Sequence, residues 1–262
     1  MIVTAILAIG TALAPPPAPR AATMVPVGVP PARMRLLTSG VRRYIRYTVK
    51  DGRRSPTDLW TRTVSFEQHE GARRLHIAQE WASDGTPSYT IDQDAWFDAA
   101  TFRPLTHVRT LHRDGKTLIG GYRFEPTQIV GMKELPDNTR TDFRVASPEP
   151  AFNFELDMEL LQVLPWRRGY VADIVFYDPG QEPPTHYQFR FAGEDTVAGP
   201  DGRGIDCWVV TADYNTGQVK SRFWLSKRTQ MVIHEEAQQD GVTYVKTLIG
   251  AEAGDTARIL PG

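Results

Sequence analysis

Five Asp-Gly pairs, Asp51-Gly52, Asp84-Gly85, Asp114-Gly115, Asp201-Gly202 and Asp240-Gly241, punctuate this chain. Glycine takes positive φ freely and aspartate tolerates it better than most residues, which is what a tight turn between twisted antiparallel strands demands. A chain turned this often is constrained toward a meander of hairpins. Parallel strands joined by helical crossovers would need a dozen or more residues at each connection.

The segments between the turns alternate as half-buried strands do. Tyr187, Phe189 and Phe191 fall on one face, with Gln188 and Arg190 on the other. Leu75, Ile77 and Trp81 oppose Arg74, His76 and Glu80, while Val219, Phe223 and Leu225 are in phase opposite Lys220, Arg222 and Trp224. Around Asp240-Gly241, residues 230–238 and 242–249 read as a hairpin.

One segment reads as helix. Asn153 is placed to cap it, Glu155 and Asp157 suit its positive end, Leu156, Leu160, Leu161 and Leu164 form an apolar stripe, and Pro165 stops it. Such a stripe is ordinarily core packing rather than a groove for a partner. With about a dozen strands and no repeat of roughly 20–50 residues, the expected fold is mainly β. We expect a large curled antiparallel sheet or half-barrel meander with one short amphipathic helix against it, because twisted open sheets of this size close, split or wrap around something.

The apolar run from Ile2 to Leu13, stopped by Pro15, Pro16 and Pro17, is too short to span a bilayer and reads as a secretory signal occupying about residues 1–22. Its bland alternative is an Ala/Pro tail. Residues 23–39, rich in Pro, Val and Ala, read as a linker or extended lead-in, and residues 40–262 as a single β domain. With 30 basic and 31 acidic residues the chain has no field that gathers nucleic acid. Loss of residues 1–22 removes only Arg20 and leaves a net charge of 29 minus 31, or −2, so this conclusion is unchanged. The single Cys207 permits no intramolecular disulfide and no cysteine follows the leader to take a lipid, which fits a soluble product of the bacterial periplasm, or a secreted one, with no transmembrane span in the mature chain.

No nucleophile elbow, phosphate loop, zinc-binding His pair or paired-cysteine metal site is present, so no catalytic residue, metal or cofactor is assigned. His107 and His112, five apart in one strand, point to opposite faces and cannot share a metal, and His69 and His76 lie in successive strands. His234 shares a face with Glu236, which a solvated polar surface explains. Cys207, in phase with Ile205 and Val209, reads as a small core residue. The aromatic residues Trp60, Phe66, Trp81, Trp96, Phe189 and Phe223 recur in strands where the opposite face is polar. On a curled sheet they would either fill a solid core or line a cavity for a hydrophobic ligand.

The acidic leucine helix, Leu164-Pro165, an aromatic residue and then Gly169-Tyr170 entering a strand resemble a group of bacterial envelope proteins of unknown function. The run from Thr196 to Trp208 and the hairpin from Ser221 to His234 share that resemblance. It covers the carboxy-terminal half and implies a fold similar to the periplasmic lipoprotein carriers (Lol-carrier-like), a curled antiparallel sheet whose concave face holds acyl chains under a helical cover. The expectation is therefore a non-catalytic exported envelope protein that binds a lipid or acylated ligand on the concave face. The alternatives are a scaffolding protein with envelope partners, or a hydrolase assembled from scattered polar residues such as Asp98, His112 and Glu125.

Overall fold

In a computed structural model of the chain, residues 21–83, 85, 88–180 and 183–253 are described. The signal reading falls on residues outside that range except at its last two positions, and Asp84 of the second Asp-Gly pair also lies outside it.

Sixteen strands are present among the described residues: β1 (Thr23–Met24), β2 (Gly40–Lys50), β3 (Arg53–His69), β4 (Ala72–Ser83), β5 (Tyr89–Asp98), β6 (Pro104–Arg113), β7 (Lys116–Phe124), β8 (Gln128–Gly131), β9 (Arg144–Ala146), β10 (Phe152–Asn153), β11 (Val171–Tyr177), β12 (Thr185–Ala198), β13 (Gly204–Ala212), β14 (Ser221–Ser226), β15 (Val232–Gln239) and β16 (Val242–Ala253). The helix α1 (Asp157–Val163) follows a 3-10 turn at Phe154–Leu156 in which the Asn153 side chain accepts from the Glu155 backbone N–H at 3.1 Å. The single sheet runs β1-β11-β12-β13-β14-β15-β16-β2-β3-β4-β5-β6-β7-β8-β9, with β10 also on β11. It consists of two antiparallel meanders joined where β16 pairs with β2, from Thr243↔Val49 to Ala253↔Gly40. Among the described strands, only the two-residue β1 and β10 pair in parallel, each with β11.

The hairpins turn as the sequence predicts. Asp51 and Gly52 have φ of 49° and 73°, Asp114 and Gly115 52° and 70°, Asp240 and Gly241 49° and 76°. Positive φ at both central residues matches the twist of the flanking strands. Asp201 differs: only Gly202 is left-handed there, and the Asp201 carboxylate accepts from the Arg203 backbone N–H in a wider loop.

Register shifts at Arg46/Tyr47, Trp96/Phe97, Phe191/Gly193, Trp224/Leu225 and Leu248/Gly250 supply the bends that curl so long a sheet. The helix and its 3-10 turn pack on the inner face, where Leu156, Leu160 and Leu161 join Tyr44, Trp60, Leu75, Ile77, Phe97, Phe189, Phe223 and Leu225 in one buried core. The sheet does not close by hydrogen bonds. Its two ends meet instead through side chains: Phe124 and Phe143 lie 5.9 and 6.5 Å from Tyr177, and Tyr122 lies 5.2 Å from Phe143. This aromatic seam makes the molecule barrel-like without a continuous ladder.

The lead-in is extended and docked rather than free. β1 pairs with β11, the Val25 N–H donates to the Asp173 carbonyl at 2.9 Å, and Leu37, at the end of a 3-10 turn over Met34–Leu36, is buried in the core. The Gln162 amide of α1 donates to the carbonyls of Leu36 and Thr229, tying lead-in, helix and β14–β15 turn together.

Candidate functional site

Polar residues stand at core-phase positions on the inner face, and they define its chemistry. Arg62, between Trp60 and Val64 on β3, is 1% exposed at its side chain, and Glu159 of α1 is fully buried. Glu159 accepts from Arg42 at 2.9 Å and from Arg62 Nε at 3.1 Å, with a further, shorter contact to Arg62. Burial alone would raise the pKa of Glu159, but Arg62 and Arg42 hold it below the ordinary carboxylate value. Asp157, two residues earlier and 3.9 Å from Arg62, has no such grip: burial lifts its carboxyl to about 7 against the opposing pull of Lys246 and Arg62. Glu159 thus anchors the helix to the sheet as well as suiting, with Asp157, its positive end.

Beyond this anchor, toward the seam, the inner face is uncovered. A cavity of about 490 Å³ is lined by Gln93 of β5, His107, Arg109 and Leu111 of β6, Leu118, Ile119, Gly120 and Tyr122 of β7, Thr139 and Arg140 of the β8–β9 connection, Glu155, and the turn Asp178–Gly180. The register pairs of the strands place these side chains together: Gln93↔Arg109 and Ala95↔His107 across β5 and β6, then His107↔Tyr122, Arg109↔Gly120 and Leu111↔Leu118 across β6 and β7. Gly120 faces inward with no side chain, so the middle of the cavity stays open. Gly180 has φ of +84°, and a Cβ there would stand 2.6 Å from the Tyr122 hydroxyl.

His107 is 1% exposed, and burial lowers its pKa to about 3, so the ring is neutral. Its Nε2 lies 3.1 Å from Gln93 Oε1, whereas its Nδ1 is buried without a partner. In that arrangement Nε2 donates and Nδ1 is a bare acceptor. Glu155 accepts from the Gln79 amide at 2.6 Å, and burial raises its pKa. Partial burial on the cavity side, and then the Glu155 charge, push the Asp178 carboxyl up to about 6 although Asp178 keeps contact with solvent.

Of the aromatic residues singled out in the sequence, Trp60, Phe189 and Phe223 are 0–3% exposed and fill the core. Phe66 lines a separate groove of about 650 Å³ with Met34, Leu37, Pro30 and Pro31. Trp81 lies between Arg46 and Arg109, whose guanidinium carbons are 4.1 and 5.8 Å from its ring centre. Trp96 is on the outer face, stacked between His69 at 3.8 Å and His76 at 4.0 Å. Its alternation with the buried Ala95 and Phe97 carries that assignment, and adjacent apolar residues in the sequence hide it. Sequence reading missed the cleft itself; the available signal is a polar residue in core phase, as at Arg62, Gln79, Gln93 and His107.

Asp98, His112 and Glu125 are not brought together. Asp98 caps the β5–β6 turn through the Ala100 and Thr101 backbone N–H groups, His112 is exposed on the outer face of β6, and Glu125 begins the β7–β8 turn. His107 and His112 do lie on opposite faces. Cys207 is fully buried, and burial raises its thiol to about 12. Among the described residues no cluster of His, Cys, Asp and Glu is arranged to hold a metal, and no helix is long and apolar enough to cross a membrane.

A single curled sheet sealed by a side-chain seam around one short helix defines a barrel-like, predominantly antiparallel β protein. Residues 45–246 match the model of DUF3108, a family of proteins of unknown function, and the chain belongs to that family. Among solved structures, a beta-barrel-like protein of the domain of unknown function DUF1849 from Brucella abortus shares the fold with a TM-score of 0.55 at 11% identity, over 84% of this chain and 99% of its own. A DUF1329 family protein from Desulfovibrio piger aligns over 86% of this chain and 90% of its own at 11% identity, with a TM-score of 0.36. No curated protein matches the chain.

Proposed function

We propose that this protein is an exported, non-catalytic protein of the bacterial envelope that holds an amphipathic, lipid-like ligand in the inner-face cleft, in a fold related to that of the periplasmic lipoprotein carriers. One observation carries the reading: the helix and the core aromatics leave a cavity on the inner face of β5–β7, distinct from the groove at Phe66. Leu118 is 52% exposed on that face, paired with Leu111 and sharing the cavity with a set of polar groups. Such a volume, with an apolar wall and a few convergent polar atoms, is what small-molecule sites present. The apolar run Ile2–Leu13 supports export. Relative to the sequence reading, the ligand moves from the core aromatics to the seam. Native mass spectrometry after mild extraction, with displacement of a fluorescent fatty acid, tests the proposal; a protein that carries nothing and displaces nothing refutes it.

A second reading rests on Glu155 and Asp178. Both carboxyls line one cleft with pKa values raised, as groups poised for proton transfer are. Hydrolysis of an ester or glycoside panel, lost in Glu155→Gln and Asp178→Asn, would establish a hydrolase; no turnover by the native protein removes that reading.

A further inference from the structure

We infer that the cleft selects ligands that carry an anionic head group, gripped by Arg109 and Arg140. This rests on the ligand-binding reading above and names the chemistry of the same site.

The inner-face arginines divide into two groups. Arg42 and Arg62 share Glu159, and Arg46 forms a fork with Asp58 at 2.7 and 2.6 Å. Arg109 and Arg140 both line the cleft, and neither has a carboxylate within 4.0 Å among the described residues. Guanidinium groups meet planar anions through paired N–H donors, and two of them facing one cavity make a site for a carboxylate or phosphate.

The remaining polar groups fit the same ligand. His107, buried beside the cleft with its Nδ1 unpartnered, is a neutral ring and adds no charge that would compete with the arginines. The Tyr122 hydroxyl stands near Gly120 and Gly180, whose lack of side chains leaves it reachable. Burial raises both cleft carboxyls, Glu155 and Asp178, and the charge of Arg109 opposes that rise at each. Leu111 and Leu118, paired across β6 and β7, form the wall along which an attached chain would lie.

The test compares a fatty acid, a lysophosphatidic acid and the fatty alcohol of the same chain length, by displacement of a neutral fluorescent lipid from the full chain. The anions are expected to bind at least about tenfold more tightly than the alcohol, the effect of one charge-assisted hydrogen bond. In an Arg109→Gln, Arg140→Gln double variant the advantage of the anions over the alcohol is lost. The order of the two acids tells whether carboxylate or phosphate is preferred, and either order supports the inference. Equal binding of alcohol and acids by the native protein overturns it while leaving the cleft as a lipid site, as does an unchanged preference in the double variant. Binding of none of the three overturns the ligand-binding reading as well.

Discussion

Replacing Glu159 by Gln keeps the side-chain shape and removes the carboxylate that Arg42 and Arg62 share. All three side chains are at most 5% exposed, so water cannot take over the lost interaction. Breaking a buried ion pair by removing one partner costs about 3–5 kcal/mol, because the other charge remains buried and uncompensated. For a chain of this size each kcal/mol moves Tm by about 2–4 °C. The Glu159→Gln variant is therefore expected to melt roughly 6–20 °C below the native protein when followed by circular dichroism. A triple variant, Arg42→Met, Arg62→Met and Glu159→Leu, is expected to recover most of that loss, since a well-packed apolar replacement has no charge to desolvate. The pH dependence has a defined sign. The folded-state pKa of Glu159 is depressed below 4.5, so its contribution is present above that pH and is lost as pH falls through the folded value; the two proteins should converge in acid. A Glu159→Gln variant within about 1 kcal/mol of native at neutral pH, or a triple variant less stable than the single, would refute the view that this ion cluster anchors the helix.

Asp157 has the opposite sign: its carboxyl stands at about 7 in the fold against an ordinary 3.8, so its ionisation cost is absent below about pH 4, grows between the two values and is complete above about pH 7. Asp157→Asn should accordingly be more stable than native protein at pH 8 and indistinguishable from it in acid, by urea denaturation. Cys207, buried and with its thiol pushed up to about 12, should resist a thiol reagent at pH 8 in the native protein and react promptly in denaturant. At Gly131 a Cβ would stand 1.7 Å from the Arg140 carbonyl oxygen, so Gly131→Ala should destabilise by up to about 3 kcal/mol in the same assay.

The hairpins were legible because their turns are local: an Asp-Gly pair at positive φ needs no distant partner to be understood. The helix was legible from its cap, stripe and terminal proline. The docking of residues 23–39 was not, since its evidence is a backbone ladder to β11 and a Gln162 side chain 126 residues from Leu36. The sheet's curl was readable in kind, but the seam that seals it was not. Phe124, Phe143 and Tyr177 lie far apart in sequence, and no periodicity joins them. Trp96 shows the limit of apolar pattern reading, because Ala95, Trp96 and Phe97 are all apolar and only the smaller neighbour fixes the phase. The cleft residues escaped notice for a related reason. Gln93, His107 and Arg109 look like ordinary strand polar residues until the register reveals that they share the inner face with Leu75, Ile77 and Phe97.

Binding in the cleft depends most directly on the room that Gly120, bearing no side chain, leaves beside Tyr122 and Arg140. Gly120 has no positive φ, and its Cβ position lies 3.5 Å from the Tyr122 hydroxyl and 3.6 Å from Arg140 Cγ, so Gly120→Leu can be built without backbone strain while occupying the cavity. Titration of a fluorescent fatty acid into the native protein and this variant should give saturable binding in the first and none in the second, with both melting at similar temperatures. Unaltered binding in Gly120→Leu would place the ligand elsewhere and contradict the account.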